Sequence, residues 1–208
     1  MKNNILDYLD KLYPDAKCEL NYNKDYELLL ATVLSAQTTD KRVNKVTSIL
    51  FKKYPSIKSM SEASISDIED IIREIGTFRR KAIYIHEITT KLVNDGYDYI
   101  HNDRKYIESL PGVGHKTANV FLSNVYDEPA IAVDTHVTRV SKRLGLANKN
   151  DDVDKIEKKL MKRIPKDRWS KTHHQLVLFG RYHCKAINPD CKRCELKELC
   201  KYIKREIK

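Results

Sequence analysis

Leu110-Pro111-Gly112-Val113-Gly114-His115-Lys116-Thr117-Ala118-Asn119 joins two helical patterns, Asp103–Leu110 and His115–Val125. Pro111, Gly112 and Gly114 interrupt the periodicity between them, which predicts a tight hairpin of two short helices. Glycine permits φ > 0 in such a turn. It also leaves backbone N–H groups uncovered where the second helix begins, so a phosphate could approach them. Lys116 falls in the first turn of that second helix. The positive end of the helix dipole disfavours an ammonium there, and partial burial would disfavour it further, so the expected species is an amine more often neutral near pH 7. A neutral lysine is a nucleophile and forms Schiff bases.

Working outward, Val133-Asp134-Thr135-His136 opens a helix expected over Thr135–Leu144. Asp134 stands at its start, where a carboxylate could act as a base, offset developing positive charge, or simply serve as the N-cap. Upstream, residues 1–13 read as a helix with Ile5, Leu6, Leu9 and Leu12 on one side. Asp25–Ala36 reads as a buried helix that Gln37-Thr38-Thr39-Asp40 breaks. Thr39 or Asp40 caps a helix over Lys41–Tyr54, and Ile68, Ile71, Ile72 and Ile75 mark another over Ser66–Ile75. Gly76 ends that helix, and Phe78-Arg79-Arg80-Lys81 opens one running to about Asn94; this basic cluster suits either phosphate or a solvated face. Ala130–Val133 is a possible extended segment with no partner strand. Further helices are expected at Val153–Ile164 and Trp169–His183. About ten helical patterns, with no internal repeat and no composition break, make the fold class all-α.

The 208 residues carry 39 Lys and Arg against 29 Asp and Glu, a formal charge of +10, with a pI of about 9.2 and a mean hydropathy of -0.59. That excess favours a polyanionic partner such as nucleic acid. No stretch reads as a signal peptide, and the longest apolar run, Leu28–Leu34, is far short of the ~18 residues of a membrane span. The expectation is a cytoplasmic protein without a membrane partner.

Four of the five cysteines form a Cys-x6-Cys-x2-Cys-x5-Cys pattern: Cys184, Cys191, Cys194 and Cys200. A disulfide framework does not suit a cytoplasmic protein, so these thiols read as metal ligands. Zinc and an iron–sulfur cluster both accept four thiolates; zinc ribbons usually show two Cys-x2-Cys pairs where this chain has one, and the close packing of four cysteines in one short loop system leans the reading toward a [4Fe–4S] cluster. Lys185, Lys192 and Arg193 lie between the ligands, where a rigid loop would hold basic groups ready for a phosphate backbone; charge balance for the thiolates is the other explanation.

With the hairpin, Val133–His136, the cysteine spacing and Leu34-Ser35-Ala36-Gln37-Thr38-Thr39-Asp40 in hand, the chain resembles the endonuclease III family, the helix-hairpin-helix DNA glycosylases that carry an iron–sulfur cluster. The likeness extends over nearly the whole chain. It implies two helical lobes flanking a catalytic cleft: residues 18–128 with the hairpin, and a discontinuous lobe of 1–17 and 129–208 with the cluster. It also implies a monomer, nucleoid-associated if bacterial, that binds duplex DNA containing a damaged base or abasic site and removes oxidised pyrimidines in base excision repair. By the same resemblance Lys116 attacks the sugar C1′, displaces the base and forms a Schiff base, and β-elimination nicks the strand. Asp134 is the second catalytic residue. Backbone groups of Gly112, Val113 and Gly114 hold a phosphate, Gln37 fills the hole left by the flipped nucleotide, and His136, Lys185 and Arg193 join the DNA contacts. The second wedge position, after Gly76, is usually aliphatic in the family; Thr77 stands here, and Phe78 is the neighbour that could take over. A mismatch-directed glycosylase without strand cleavage and a noncatalytic DNA-binding or redox-sensing module built on the cluster are the competing readings; Lys116 counts against the first, because such enzymes generally lack a lysine at the hairpin position, and having both Lys116 and Asp134 counts against the second.

Overall fold

Every residue from Tyr26 to Leu34 is buried, so the apolar run at the start of the chain forms a helix with no solvent face, as a central core helix must. It belongs to an all-helical chain. The computed structural model describes residues 2–206, with side chains over 5–204, and among them runs α1 (Lys2–Leu12), α2 (Asp25–Leu34), α3 (Asp40–Lys53), α4 (Ile57–Ser61), α5 (Ile65–Ile72), α6 (Phe78–Asn94), α7 (Arg104–Ser109), α8 (His115–Val125), α9 (Thr135–Arg143), α10 (Val153–Arg163), α11 (Trp169–Leu178) and α12 (Ile203–Glu206). Met1, within the helix expected over 1–13, and residues 207–208 of the expected second lobe lie outside the described residues. No strand occurs among the described residues, and no helix there is long and apolar enough to cross a membrane.

The chain divides into two compact units, Glu19–Tyr126 and Met1–Cys18 with Asp127–Lys208. In the first, α2 packs against α3, α6 and α8, while α6 lies on α4 and α5. In the second, Leu9 of α1, Val137 and Val140 of α9, Ile156 and Leu160 of α10, Leu176 of α11 and Phe179 share one core. Asp10 fastens α1 to α11 by accepting from Arg168 Nη2 at 2.9 Å and Gln175 Nε2 at 2.8 Å.

Two local expectations shift. α5 starts at Ile65 because Ser64 Oγ accepts the Asp67 N–H at 3.1 Å, and Ile75 is reached through a turn, Ile75 N–H to Ile72 O at 2.8 Å. Ala130–Val133, as expected, joins no sheet, and all four residues are buried. The helix expected over Trp169–His183 is α11 only as far as Leu178 and then widens into a π-helical turn over Phe179–His183. The turn seats Gly180 on α9, where a Cβ would come 2.9 Å from the His136 Cβ and 3.2 Å from Val140 Cγ2.

His174 of α11 has its pKa pushed down to about 4 by burial. The unfolded chain takes up this proton near pH 6.5 and the folded chain only near pH 4, so stability is full above 6.5 and falls as pH drops through that window. The linked loss is about 3 kcal/mol. Urea midpoints measured from pH 7 to 4 should therefore decline, and His174→Gln should flatten the decline; an unchanged slope would contradict the assignment.

Candidate active-site and nucleic-acid-binding residues

Asp103 begins the hairpin by accepting the Lys105 and Tyr106 N–H groups at 2.9 and 3.2 Å, capping α7. Val113 N–H to Leu110 O at 3.0 Å then closes the turn. Gly112 sits at φ +74, and a Cβ there would come 2.5 Å from Tyr84 Cδ2, so glycine is required for both conformation and space. Gly114 differs. Its φ is -101 and a Cβ would meet nothing within 4 Å, so the protein itself does not demand glycine. The space it leaves lies beside the first N–H groups of α8, which have no intrahelical acceptor and no side-chain cap. α7 and α8 are locked by side chains: Arg104 Nη1 donates to Asn119 Oδ1 at 2.8 Å, and Glu108 Oε1 lies 3.2 Å from His115 Nδ1.

Lys116 is the second residue of α8, exposed, with no hydrogen bond or ion pair. The expected partial burial is therefore not found. Val113 and Ala118 take the inward positions on either side, which turns position 116 to solvent. Asp134 is the N-cap of α9 and half-buried; Oδ1 accepts the Val137 N–H at 2.7 Å. Its capping role is real, and Oδ2 has no hydrogen-bond partner. Lys116 belongs to the Glu19–Tyr126 unit and Asp134 to the other.

Gln37 and Thr77 share a feature that no glycine flags in the sequence. Both are exposed and both hold φ 56, the left-handed region, at about 1–3 kcal/mol each for a non-glycine residue. Thr77 is also the N-cap of α6 without a side-chain cap bond. The two turns are neighbours, since a Cβ on Gly76 would lie 3.7 Å from Gln37 O. Phe78 is half-buried with the Arg79 guanidinium 5.2 Å from its ring centroid. Thr77, not Phe78, is the exposed tip.

In the second unit, the sequence reading missed two arginines of α9. Arg139 Nη2 donates to Gly180 O at 2.6 Å and lies 3.1 Å from His136 Nδ1, while its Nε donates to Cys184 O at 3.2 Å. Arg143 Nη1 donates to Lys185 O at 2.7 Å and to Cys184 Sγ at 3.4 Å, and its guanidinium stacks 4.2 Å from the Tyr202 ring. Their spacing, i and i+4 from each other on a short helix, was the available signal. Thus α9 carries Asp134 and His136 at its start and grips the cysteine loop along its length. Cys184, Cys191 and Cys194 are half-buried and Cys200 is buried. Burial, first, and the neighbouring thiols raise the Cys191 and Cys194 pKa values; Cys184 and Cys200 act on both, and Cys191 acts on Cys194 as well. Cys191 and Cys194 therefore each lie within electrostatic reach of Cys184 and Cys200. Among the described residues no three His, Cys, Asp or Glu side chains converge on a single metal ion. Lys185 and Arg193 are exposed, but Arg193 is not free: its Nε donates to Asp190 Oδ2 at 2.6 Å.

Residues 30–166 match the HhH-GPD superfamily of base excision DNA repair proteins. The chain belongs to this superfamily. Within HhH-GPD proteins it is similar to endonuclease III of Bacillus subtilis (strain 168), 45% identical over 196 residues, which span 94% of this chain and 90% of the relative. Endonuclease III of Escherichia coli (strain K12) is 39% identical over 198 residues, 95% of this chain and 93% of the relative. Among solved structures, a trapped endonuclease III–DNA covalent intermediate, an estranged-adenine complex, is 47% identical with a TM-score of 0.94, covering 100% of this chain and 99% of that one. As an HhH-GPD protein with such relatives, the chain is a base excision repair DNA glycosylase.

Proposed function

We propose that the chain removes oxidised pyrimidines from duplex DNA and cleaves the strand at the resulting abasic site, with Lys116 as nucleophile and Asp134 as its charged partner, acting as a cytoplasmic monomer, nucleoid-associated if the source is bacterial. The observation that carries this reading is Lys116 itself, an exposed lysine with no ion pair, on the first turn of a helix whose open N-terminus follows a glycine hairpin. A 47% identical endonuclease III trapped as a covalent DNA intermediate supports a nucleophilic side chain. The unprotonated Nζ attacks C1′ and the glycosidic bond breaks, its electron pair leaving with the base, which takes a proton. The sugar ring then opens to a C1′ Schiff base. Loss of a C2′ proton expels the 3′ phosphate by β-elimination, and water releases the lysine. Asp134, with Oδ2 unused, accepts the ammonium proton and offsets positive charge at C1′. The backbone around Gly112–Gly114, with Val113 buried beneath, and the first turn of α8 receive a phosphate. His136 and Lys185 flank the strand, and Arg193 contributes to the extent that Asp190 releases it.

Cys184, Cys191, Cys194 and Cys200 would hold a [4Fe–4S] cluster. The donor set suits such a group in its chemistry, four soft thiols of one loop system with Cys191 and Cys194 near both Cys184 and Cys200. These four cysteines, bound to such a cluster, would cross-link the loop that displays Lys185 and Lys192. Protein purified anaerobically should be brown and should both release base and nick a duplex with one thymine glycol, with an abasic duplex nicked in parallel. Nicking of the abasic duplex alone would overturn the base assignment. Activity on neither would overturn the reading as a whole, and a colourless protein would point to zinc.

A further inference from the structure

Lys81 is the one buried lysine among the described residues, 4% exposed, and it has no carboxylate partner. Its Nζ donates to Leu34 O at 2.9 Å, Ala36 O at 2.6 Å and Thr38 Oγ1 at 3.4 Å. An ammonium has three protons, and these are three acceptors. All of them belong to the short turn that carries Gln37. Burying an unpaired charge is costly, and what this one secures is the shape of that turn. The Lys81 backbone N–H meanwhile donates to Thr77 O at 3.2 Å, so one residue fixes both left-handed tips. Thr77, Lys81 and Tyr84 fall at i, i+4 and i+7 and project from one face of α6. Tyr84 packs against Gly112, so the same helix face also braces the hairpin.

We infer that Lys81 is a positioning residue for nucleotide extrusion: its clamp on the Leu34–Thr38 turn holds Gln37 beside Thr77 as one rigid pair of tips that enters the base stack. The inference rests on the glycosylase reading above and adds what keeps the inserting residues in place. Tips already ordered in the free protein need not be ordered at each insertion, and that entropy would otherwise oppose extrusion. The strained φ of Gln37 persists because the clamp outweighs it.

The test compares wild type with Lys81→Met on one abasic site in two settings: a fully paired duplex with 2-aminopurine beside the site, and a bubble of mispaired bases where no stack has to be broken. Lys81→Met should bind undamaged duplex and undergo borohydride trapping on the bubble within about threefold of wild type. On the paired duplex, trapping and the 2-aminopurine fluorescence rise should fall at least about tenfold. Adding Gln37→Ala to Lys81→Met should cost almost nothing more, because both changes remove the same tip. Wild-type extrusion by Lys81→Met overturns the inference. So does an equal loss on the bubble, which marks a general fault of folding, and so does a fully additive double variant. Should Lys81→Met not fold, Lys81→Arg takes its place: a guanidinium cannot aim three donors from one atom, so paired-duplex extrusion should still drop, and wild-type extrusion there overturns the inference. If wild type itself traps neither substrate, it is the glycosylase and lyase reading that fails.

Discussion

Lys116→Ala is expected to abolish borohydride trapping on a duplex with one thymine glycol and on an abasic duplex, a loss of at least about 10³-fold, while binding of either duplex stays within about threefold. The two expectations separate because of where Lys116 sits. It is exposed on the second residue of α8 and bonded to nothing in the protein, and alanine is the better helix former, so the substitution leaves the hairpin and its phosphate-receiving backbone intact. One lysine among a formal +10 is a small part of the polyelectrolyte attraction: its loss should lower the slope of log K against log salt by no more than about 1. Trapping that survives at more than a few per cent would mean that another amine is the nucleophile. Collapse of binding together with trapping would instead make Lys116 a phosphate contact.

Asp134→Asn is the second large effect, and it divides the two roles that Asp134 combines. Asparagine caps as well as aspartate, so its Oδ1 can take over the Val137 N–H now accepted at 2.7 Å, and stability should change by less than about 0.5 kcal/mol. The charge is lost. Base release should fall roughly 10²- to 10⁴-fold, as expected when a group that moves a proton is silenced. Asp134→Ala removes cap and charge together and should lose about 1 kcal/mol of stability in addition. Near-normal turnover in the asparagine variant, with loss only in the alanine variant, would reduce Asp134 to a helix cap.

The parts legible in the sequence are those that glycine, proline and periodicity mark. His115–Val125 is helical over the span expected, and the interruption at Pro111–Gly114 is the turn, because Gly112 must hold a positive φ under the Tyr84 ring. α4 was not legible: five residues are too few to display a helical period. Burial was the other blind spot. A first-turn lysine faces in or out according to the tertiary setting, and Lys116 faces out. In the sequence Lys81 belongs to a basic cluster, yet it shares the buried stripe of Ile85, Ile88 and Leu92 at i+4, i+7 and i+11; a charge on that stripe is the sign that it must find acceptors inside the protein. The left-handed tips at Gln37 and Thr77 had no signal, since neither residue is glycine or asparagine and their strain is imposed by the surrounding contacts. Arg193 shows the converse. Its sequence position suggested a free cation, and Asp190, three residues earlier, holds it.

The central claim is that Lys116 is the amine that becomes joined to the sugar. The measurement that tests it most directly is a peptide map of the borohydride-trapped complex formed by the wild-type protein on a thymine glycol duplex, read by mass spectrometry. The account predicts the reduced deoxyribose adduct on the peptide that contains Lys116 and on no other. An adduct on a different lysine, or on the amino terminus, would contradict it.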